Sequence, residues 1–451
     1  MLRAFIVWAG VLLASRAAAE EVLIRAGTVW TVTGKVYSPG EVLVRDGRIV
    51  AVGDRVEAPA GVKVVEAPKA HLTPGIIDTH SHIGVYPAPD LHGNQDGNEM
   101  TAPVTAEIDA KDGFWPQDPQ IRHALAGGVT TAQILPGSAN LVGGRGVTIK
   151  LWPGRSSREM RFVGAPQGVK LACGENPKRV YGGERKAAPM SRMGNVAGYR
   201  AAFQRAREYR ERWARYRERS AEWEQKRRAQ PGGKAQVPPP DPPDRNLQLE
   251  TLAGALDGSL LVHWHCYRAD EMLTVLEIAE EFGFAVRSFH HALEAYKIRD
   301  VLAKARVGVS TWADWWGFKI EAYDGVPENA ALLSAAGAIA IIHSDSAVGI
   351  QRLNQEASKA YWKGRAMGLR MPEEEALRWV TANAAWALGI ERLVGTIEVG
   401  KMADLVLWSA HPLSVYAHAD VVWIDGRVAF DRQKGPRRSD FELGVVDEGS
   451  L

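Results

Sequence analysis

At 451 residues the chain is long enough to bury a large core and to hold more than one structural unit. Its 46% hydrophobic and 24% charged residues exclude a disordered or collagen-like chain. A formal charge of +2 excludes a global electrostatic attraction to nucleic acid.

The first stretch, MLRAFIVWAGVLLASRAAAEE, has a positive start at Arg3, an apolar run from Ala4 to Ala14 and a small-residue site at Ala17-Ala18-Ala19. This reads as a secretory signal peptide over residues 1–19, cut before Glu20. The run is too short to anchor the chain, and no later segment approaches 18 uninterrupted apolar residues. The expectation is an exported protein, periplasmic or secreted, without stable membrane insertion. An exported chain could join its two cysteines, Cys173 and Cys266, but two cysteines make no disulfide framework.

Residues 20–72 hold short alternating runs: EVLIRAGTVWTV, GEVLVRDGRIVAVG and VKVVEA. The same texture returns in 393–451 as GTIEVGKMADLVLWS and DVVWIDGRVAFD. Asp46-Gly47 and Asp425-Gly426 are hairpin signals. Together these predict a small β-sandwich domain built from both chain ends. Between them, residues 73–392 alternate strands with helical stretches such as DEMLTVLEIAEEFG and PENAALLSAAG. Eight strands are predicted: GIIDTHSH, GVTTAQIL, GVTIKLW, GVKLACGE, LLVHWH, AVRSFHH, VGVST and AIAIIHSD. An α/β chain with eight such repeats implies a (β/α)8 TIM-type barrel, whose chemistry sits at the C-terminal ends of the strands.

The barrel segment carries a charged insertion over 191–250. Tyr199 to Gln230 is dense in Arg, Glu and Ala, which predicts a long charged helix or helix pair with i,i+4 pairs. PPPDPPD then stops it as a semi-rigid spacer. The insertion reads as a solvated decoration, with a lid or contact arm as the functional alternative. Its interleaved Glu residues argue against nucleic-acid binding.

The chemistry begins in PGIIDTHSH. His80 and His82 are two apart, so a strand points both to one face, where two neutral imidazoles can grip a divalent ion. His263, His265, His290 and His291 also sit at strand ends, and His343 lies two residues before Asp345. Clustering on strands one, five, six and eight is a far stronger signal than one pair.

The combination of PGIIDTHSH, a strand-five His, a strand-six His, a strand-eight Asp and KMADLVLW resembles the amidohydrolase superfamily, over residues 21 to about 435. GENPKRVYG, RADEM, EAYKI, RLNQEA and VGTIEVGKMADLVLW make it similar to the imidazolonepropionase-like and prolidase-like group. The resemblance implies metal ligands at His80 and His82. On strand five the register HxxRAD favours His265, with His263 facing inward one pleat lower. On strand six HxxEAY favours His291 over His290. Asp345 matches the strand-eight Asp that ligates metal and handles the proton of the attacking water.

Two residues compete for the bridging carboxylate. Lys170 is placed like the carboxylated lysine of prolidase-like members. Glu175 in GENP resembles the Glu of the acetylglucosamine-phosphate deacetylases, and is favoured because it needs no modification and lies nearer the strand's end. This ligand set suits one or two ions of zinc or a similar divalent metal. Such an ion lowers the pKa of bound water toward about 7 and polarises the carbonyl under attack. The resemblance also shows a departure. Mononuclear deaminases of the superfamily carry HxxE on strand five, whereas Arg268 stands in the position of that Glu, which argues against aromatic-base deamination.

Arg268 could bind a substrate carboxylate or pair with Asp270. The loop TWADWWGFKIEAYDG offers Trp312, Trp315, Trp316 and Lys319, either to clamp a ring or apolar side chain or to pack the core. Cys266 reads as a packing residue facing out of the barrel. The expected function is an exported metal-dependent amidohydrolase that cleaves an amide-like C–N bond of a small molecule or dipeptide, with a prolidase-like dipeptidase leading. A cyclic-amide hydrolase of imidazolonepropionase type and a non-catalytic metal-binding scaffold are the alternatives. Homo-oligomerisation is left open.

Overall fold

The computed structural model describes residues 21–229, 237–315 and 317–434. The signal-peptide reading over 1–19, Trp316 and the tail beyond 434 lie outside the described residues. The strands are β1 (Val22–Trp30), β2 (Val36–Tyr37), β3 (Gly40–Arg45), β4 (Arg48–Gly53), β5 (Lys63–Pro74), β6 (Ile76–Ser81), β7 (Val129–Ile134), β8 (Val142–Lys150), β9 (Gly168–Ala172), β10 (Leu261–Cys266), β11 (Val286–His291), β12 (Gly308–Thr311), β13 (Ile339–Ile342), β14 (Leu405–Trp408), β15 (Ala419–Ile424) and β16 (Arg427–Asp431).

Strands β6 to β13 pair in chain order into one eight-stranded sheet, a nearly closed barrel. At the seam the Asp345 N–H donates to the His80 carbonyl at 2.9 Å, joining the last strand's exit to the first strand. The uniform parallel barrel expected from the sequence is corrected at the third strand: β8 runs antiparallel to both β7 and β9. The reason is loop length. A parallel neighbour needs a crossover of roughly a dozen residues, and the link from Ile134 to Val142 is too short for one. The chain therefore doubles back at the barrel mouth and leaves Pro136 and Ser138 there.

The two chain ends do combine, but as one continuous mixed sheet in the order β16-β15-β14-β5-β1-β3-β4, with β2 added to β1. Two separately paired sheets, as a sandwich implies, are not what the pairing gives. The long strand β5 explains this. It pairs parallel with β1 through residues 63–72 and antiparallel with β14 through 71–74, so it belongs to both ends at once. Both Asp-Gly turns form. Asp46 and Gly47 have φ of 50° and 74°, Asp425 and Gly426 have 50° and 71°, the doubly positive pattern of a tight hairpin. Lys150 of β8 ties the barrel to this sheet, donating to Asp404 at 3.0 Å and Asp425 at 2.5 Å.

The insertion is one helix, Arg192–Ala229, followed by the helix Leu247–Asp257. Only the first half of the long helix is anchored. Asn195, Tyr199, Ala202, Phe203, Ala206 and Tyr209 are buried at helical spacing, and Tyr199 meets the outward-facing Trp264 of β10 at 4.9 Å. The sequence reading of Cys266 as a simple packing residue is also corrected. Cys266 faces out of the barrel and is joined to Cys173, which follows the adjacent strand β9, in a disulfide. Among the described residues no helix is long and apolar enough to cross a membrane.

Candidate metal centre

Alternation on β10 sends His263 and His265 into the barrel and Trp264 and Cys266 out of it. On β11 the same rule sends His290 inward and should send His291 outward. His291 escapes the rule because it and Ala292 adopt φ of 71° and 40°. Non-glycine residues are uncommon there, and the conformation costs roughly 1–3 kcal/mol. It turns the ring back over the mouth, stacked on Trp312 at 4.6 Å. Asp345, with φ of 48°, is turned inward by the same device.

These turns bring one set of side chains together. His80 Nε2 lies 3.3 Å from His82 Nε2, and the Asp345 carboxylate lies 3.0 Å from His82 Nε2 and 3.5 Å from His80 Nε2. His291 Nδ1 is 3.8 Å from the same carboxylate. Two overlapping groups, His80–His82–Asp345 and His80–His291–His343, each hold their ligand atoms within 4.8 Å of one another. Outer contacts orient the rings: His82 Nδ1 lies 2.8 Å from the Leu135 carbonyl and His265 Nδ1 2.8 Å from Ser138 Oγ.

The set fits a divalent cation. His265 Nε2, His291 Nδ1 and both nitrogens of His343 are buried without a hydrogen-bond partner. Orphaned buried nitrogens are costly unless something binds them. Burial, reinforced by neighbouring cationic groups, pushes His80, His265 and His291 well below the ordinary histidine value, so their lone pairs are free. Burial alone would push the Asp345 carboxyl up. The His82 hydrogen bond and the positive surroundings outweigh it and hold the group below its ordinary value.

The two candidate bridging groups separate. Lys170 is fully buried inside the set, with Nζ 3.4 Å from His80 Nε2 and donating to the Pro136 carbonyl at 3.2 Å. Burial pushes its amine down to about 7. Glu175, favoured from sequence, lies on the rim, where its carboxylate is 3.8 Å from Lys319. The reason is the turn after β9: Gly174, at φ of 82°, leads the chain off the barrel axis before Glu175 begins a short helix. Lys170, one pleat inside the strand, stays on the axis.

The candidates for substrate contact, Arg268, His263 and Trp315, take three different places. Arg268 makes a bidentate pair with Asp270 at 2.9 and 2.8 Å. His263 is fully buried a layer below, between Gln133 and His290, so it cannot touch a substrate. Trp315 stacks on Trp312 at 5.0 Å, and with Tyr267 and Phe318 makes an aromatic wall above the site. Lys319 lies 3.9 Å above the Tyr267 ring.

Sequence reasoning missed Asp78. It is fully buried, accepts from the N–H groups of His80 and Ser344, both at 3.1 Å, and from the Ser344 hydroxyl. Burial pushes its carboxyl up to about 7. A carboxylate inside the apolar run GIID was the available signal.

A profile of the amidohydrolase family matches residues 288–430. An amidohydrolase of Thermotoga maritima MSB8 is 37% identical over 91% of this chain and all of its own, with a TM-score of 0.78. The chain belongs to the amidohydrolase superfamily. It is also 36% identical, over 83% of its length, to the amidohydrolase tasK of Hapsidospora irregularis, but spans only 38% of that longer protein. A local match reaches 39% identity over 70 residues with an imidazolonepropionase of Bacillus cytotoxicus, covering 14% of this chain and 16% of that protein.

Proposed function

We propose that the protein is an exported, metal-dependent amidohydrolase acting on an amide-like C–N bond of a small molecule or dipeptide. The observation that carries this is the convergence of His80, His82, His265, His291 and Asp345 around Lys170 at the C-terminal mouth of the barrel. The four histidines and Asp345 would hold the cation or cations, zinc being the best match to this donor set, and Lys170 in carboxylated form would supply the bridging carboxylate. A divalent ion bound there supplies a Lewis acid that acidifies water and polarises a carbonyl.

Asp345 performs the proton handling. Held ionised at neutral pH and next to His82, it can accept the proton of the attacking water and return it to the leaving nitrogen. The wall of Tyr267, Trp312, Trp315 and Phe318 excludes water and favours an apolar or aromatic group beside the scissile bond. The Cys173–Cys266 disulfide suits an oxidising compartment, which supports export. A cyclic amide is the second reading, favoured by the local likeness to an imidazolonepropionase.

The test is metal content of chelator-free protein, followed by turnover of dipeptides, N-acyl amino acids and cyclic amides by wild type and Asp345→Asn. Metal retained with turnover lost in the variant is the expected result. No uptake of zinc or manganese and no turnover on any substrate would overturn the proposal.

A further inference from the structure

Beneath the metal centre three imidazoles and one amide stand in line across the barrel. His80 Nδ1 is 3.0 Å from His290 Nδ1. His290 Nε2 is 3.0 Å from His263 Nδ1, and His263 Nε2 is 3.1 Å from the Gln133 amide. All four side chains are at most 1% exposed. Gly168 makes room for the far end: a Cβ there would lie 2.6 Å from the His263 ring and 2.9 Å from the Gln133 amide.

A neutral imidazole carries one proton, on one of two nitrogens. Each N···N contact needs one donor and one acceptor, so a line of neutral rings has a single polarity from end to end. If Gln133 donates, the proton of each ring faces His80, and His80 must carry its own proton on Nε2. If Gln133 accepts through its carbonyl, the polarity reverses. His263 Nε2 then donates to Gln133, His290 Nε2 to His263 and His80 Nδ1 to His290. Only this second polarity leaves a lone pair on His80 Nε2, the atom that faces His82 and Asp345. The amide's oxygen and nitrogen ends are interchangeable in shape, and Gln133 Oε1 is otherwise a buried acceptor without a donor. Turning it onto His263 gives it one.

We propose that Gln133, His263 and His290 are positioning residues, a hydrogen-bond relay that fixes the tautomer of His80 and presents its Nε2 lone pair to the cation. This rests on the metal reading above and extends it to residues that touch neither metal nor substrate. Outer partners of this kind typically change metal affinity ten- to a hundredfold.

The test uses the full chain with 15N-labelled histidine, and assigns His80 by its loss in His80→Asn. In metal-free wild type the expected His80 proton is on Nδ1. Gln133→Met, which fills the space without accepting, should give a mixture of tautomers and bind zinc ten- to a hundredfold more weakly in competition with a chromophoric chelator. Gln133→Glu, which can accept, should restore both. If Gln133→Met fails to fold, Gly168→Ala, which crowds the same contact, should produce the same two changes. A wild-type proton on Nε2, or zinc affinity unmoved in both variants, overturns the relay. If the wild type takes up no cation at all, the metal reading fails, and the tautomer spectrum still decides the relay.

Discussion

At the scale of single residues, Lys170 and Asp345 carry different burdens. Lys170 is the buried group at the centre of the histidine set, whereas Glu175 already has Lys319 beside it on the rim. Lys170→Ala should therefore empty the site, with metal per chain by elemental analysis falling by at least one equivalent, while Glu175→Gln should retain its metal. Asp345→Asn keeps the shape and removes the proton acceptor. Its kcat should fall by about 10²–10⁴-fold, the usual contribution of a positioned acid–base group, with metal content retained. His291 shows why the site was only partly legible. The pair His290-His291 looked like a choice of one inward residue, because a strand alternates. The positive φ at His291 that lets both reach the interior is imposed by tertiary contacts and leaves no mark in the sequence.

At the scale of elements, a buried ion pair joins the end sheet to the barrel. Lys150 has a side chain 9% exposed and Asp404 2%, so the pair is desolvated. Removing one partner of a buried pair strands the other charge, and Lys150→Ala should destabilise the fold by about 3–5 kcal/mol in chemical denaturation. Within the end sheet the Trp30 Nε1–H of β1 donates to His71 Nδ1 of β5 at 3.1 Å. Burial, with His411 nearby, lowers the His71 pKa below its ordinary value. The folded state thus prefers the neutral ring. That stability is complete above the unfolded value of about 6.5 and is lost as pH falls below it. Replacing His71 by Phe should flatten the loss of denaturation midpoint between about pH 6.5 and 5. A variant whose acid profile overlays the wild type would show that His71 does not carry this dependence. Element types were readable throughout, since all eight predicted barrel strands correspond to observed ones. Direction was not: β8 reads like its parallel neighbours, and only the length of its link to β7 reverses it.

At the scale of the whole molecule, the disulfide closes a loop of 93 residues that contains the whole insertion. Chain-entropy arguments give such a crosslink roughly 2–5 kcal/mol. Cys173→Ser with Cys266→Ser should lower the thermal midpoint by several degrees in calorimetry, and wild type under a dithiol reductant should approach the same value. Shortening the exposed second half of the long helix should leave that midpoint nearly unchanged, because its buried residues end at Tyr209.

The sequence by itself determined the periodicity of the strands, the hairpin turns at Asp46-Gly47 and Asp425-Gly426, the clustering of histidines at strand ends and the family. These follow from local rules, in which alternation and turn chemistry are written residue by residue. Only the tertiary structure decided the antiparallel β8, the single shared end sheet, the disulfide, and the exchange of Glu175 for Lys170 beside the histidines. Each of these depends on where a chain goes after it leaves a strand, and a strand's residues do not encode that.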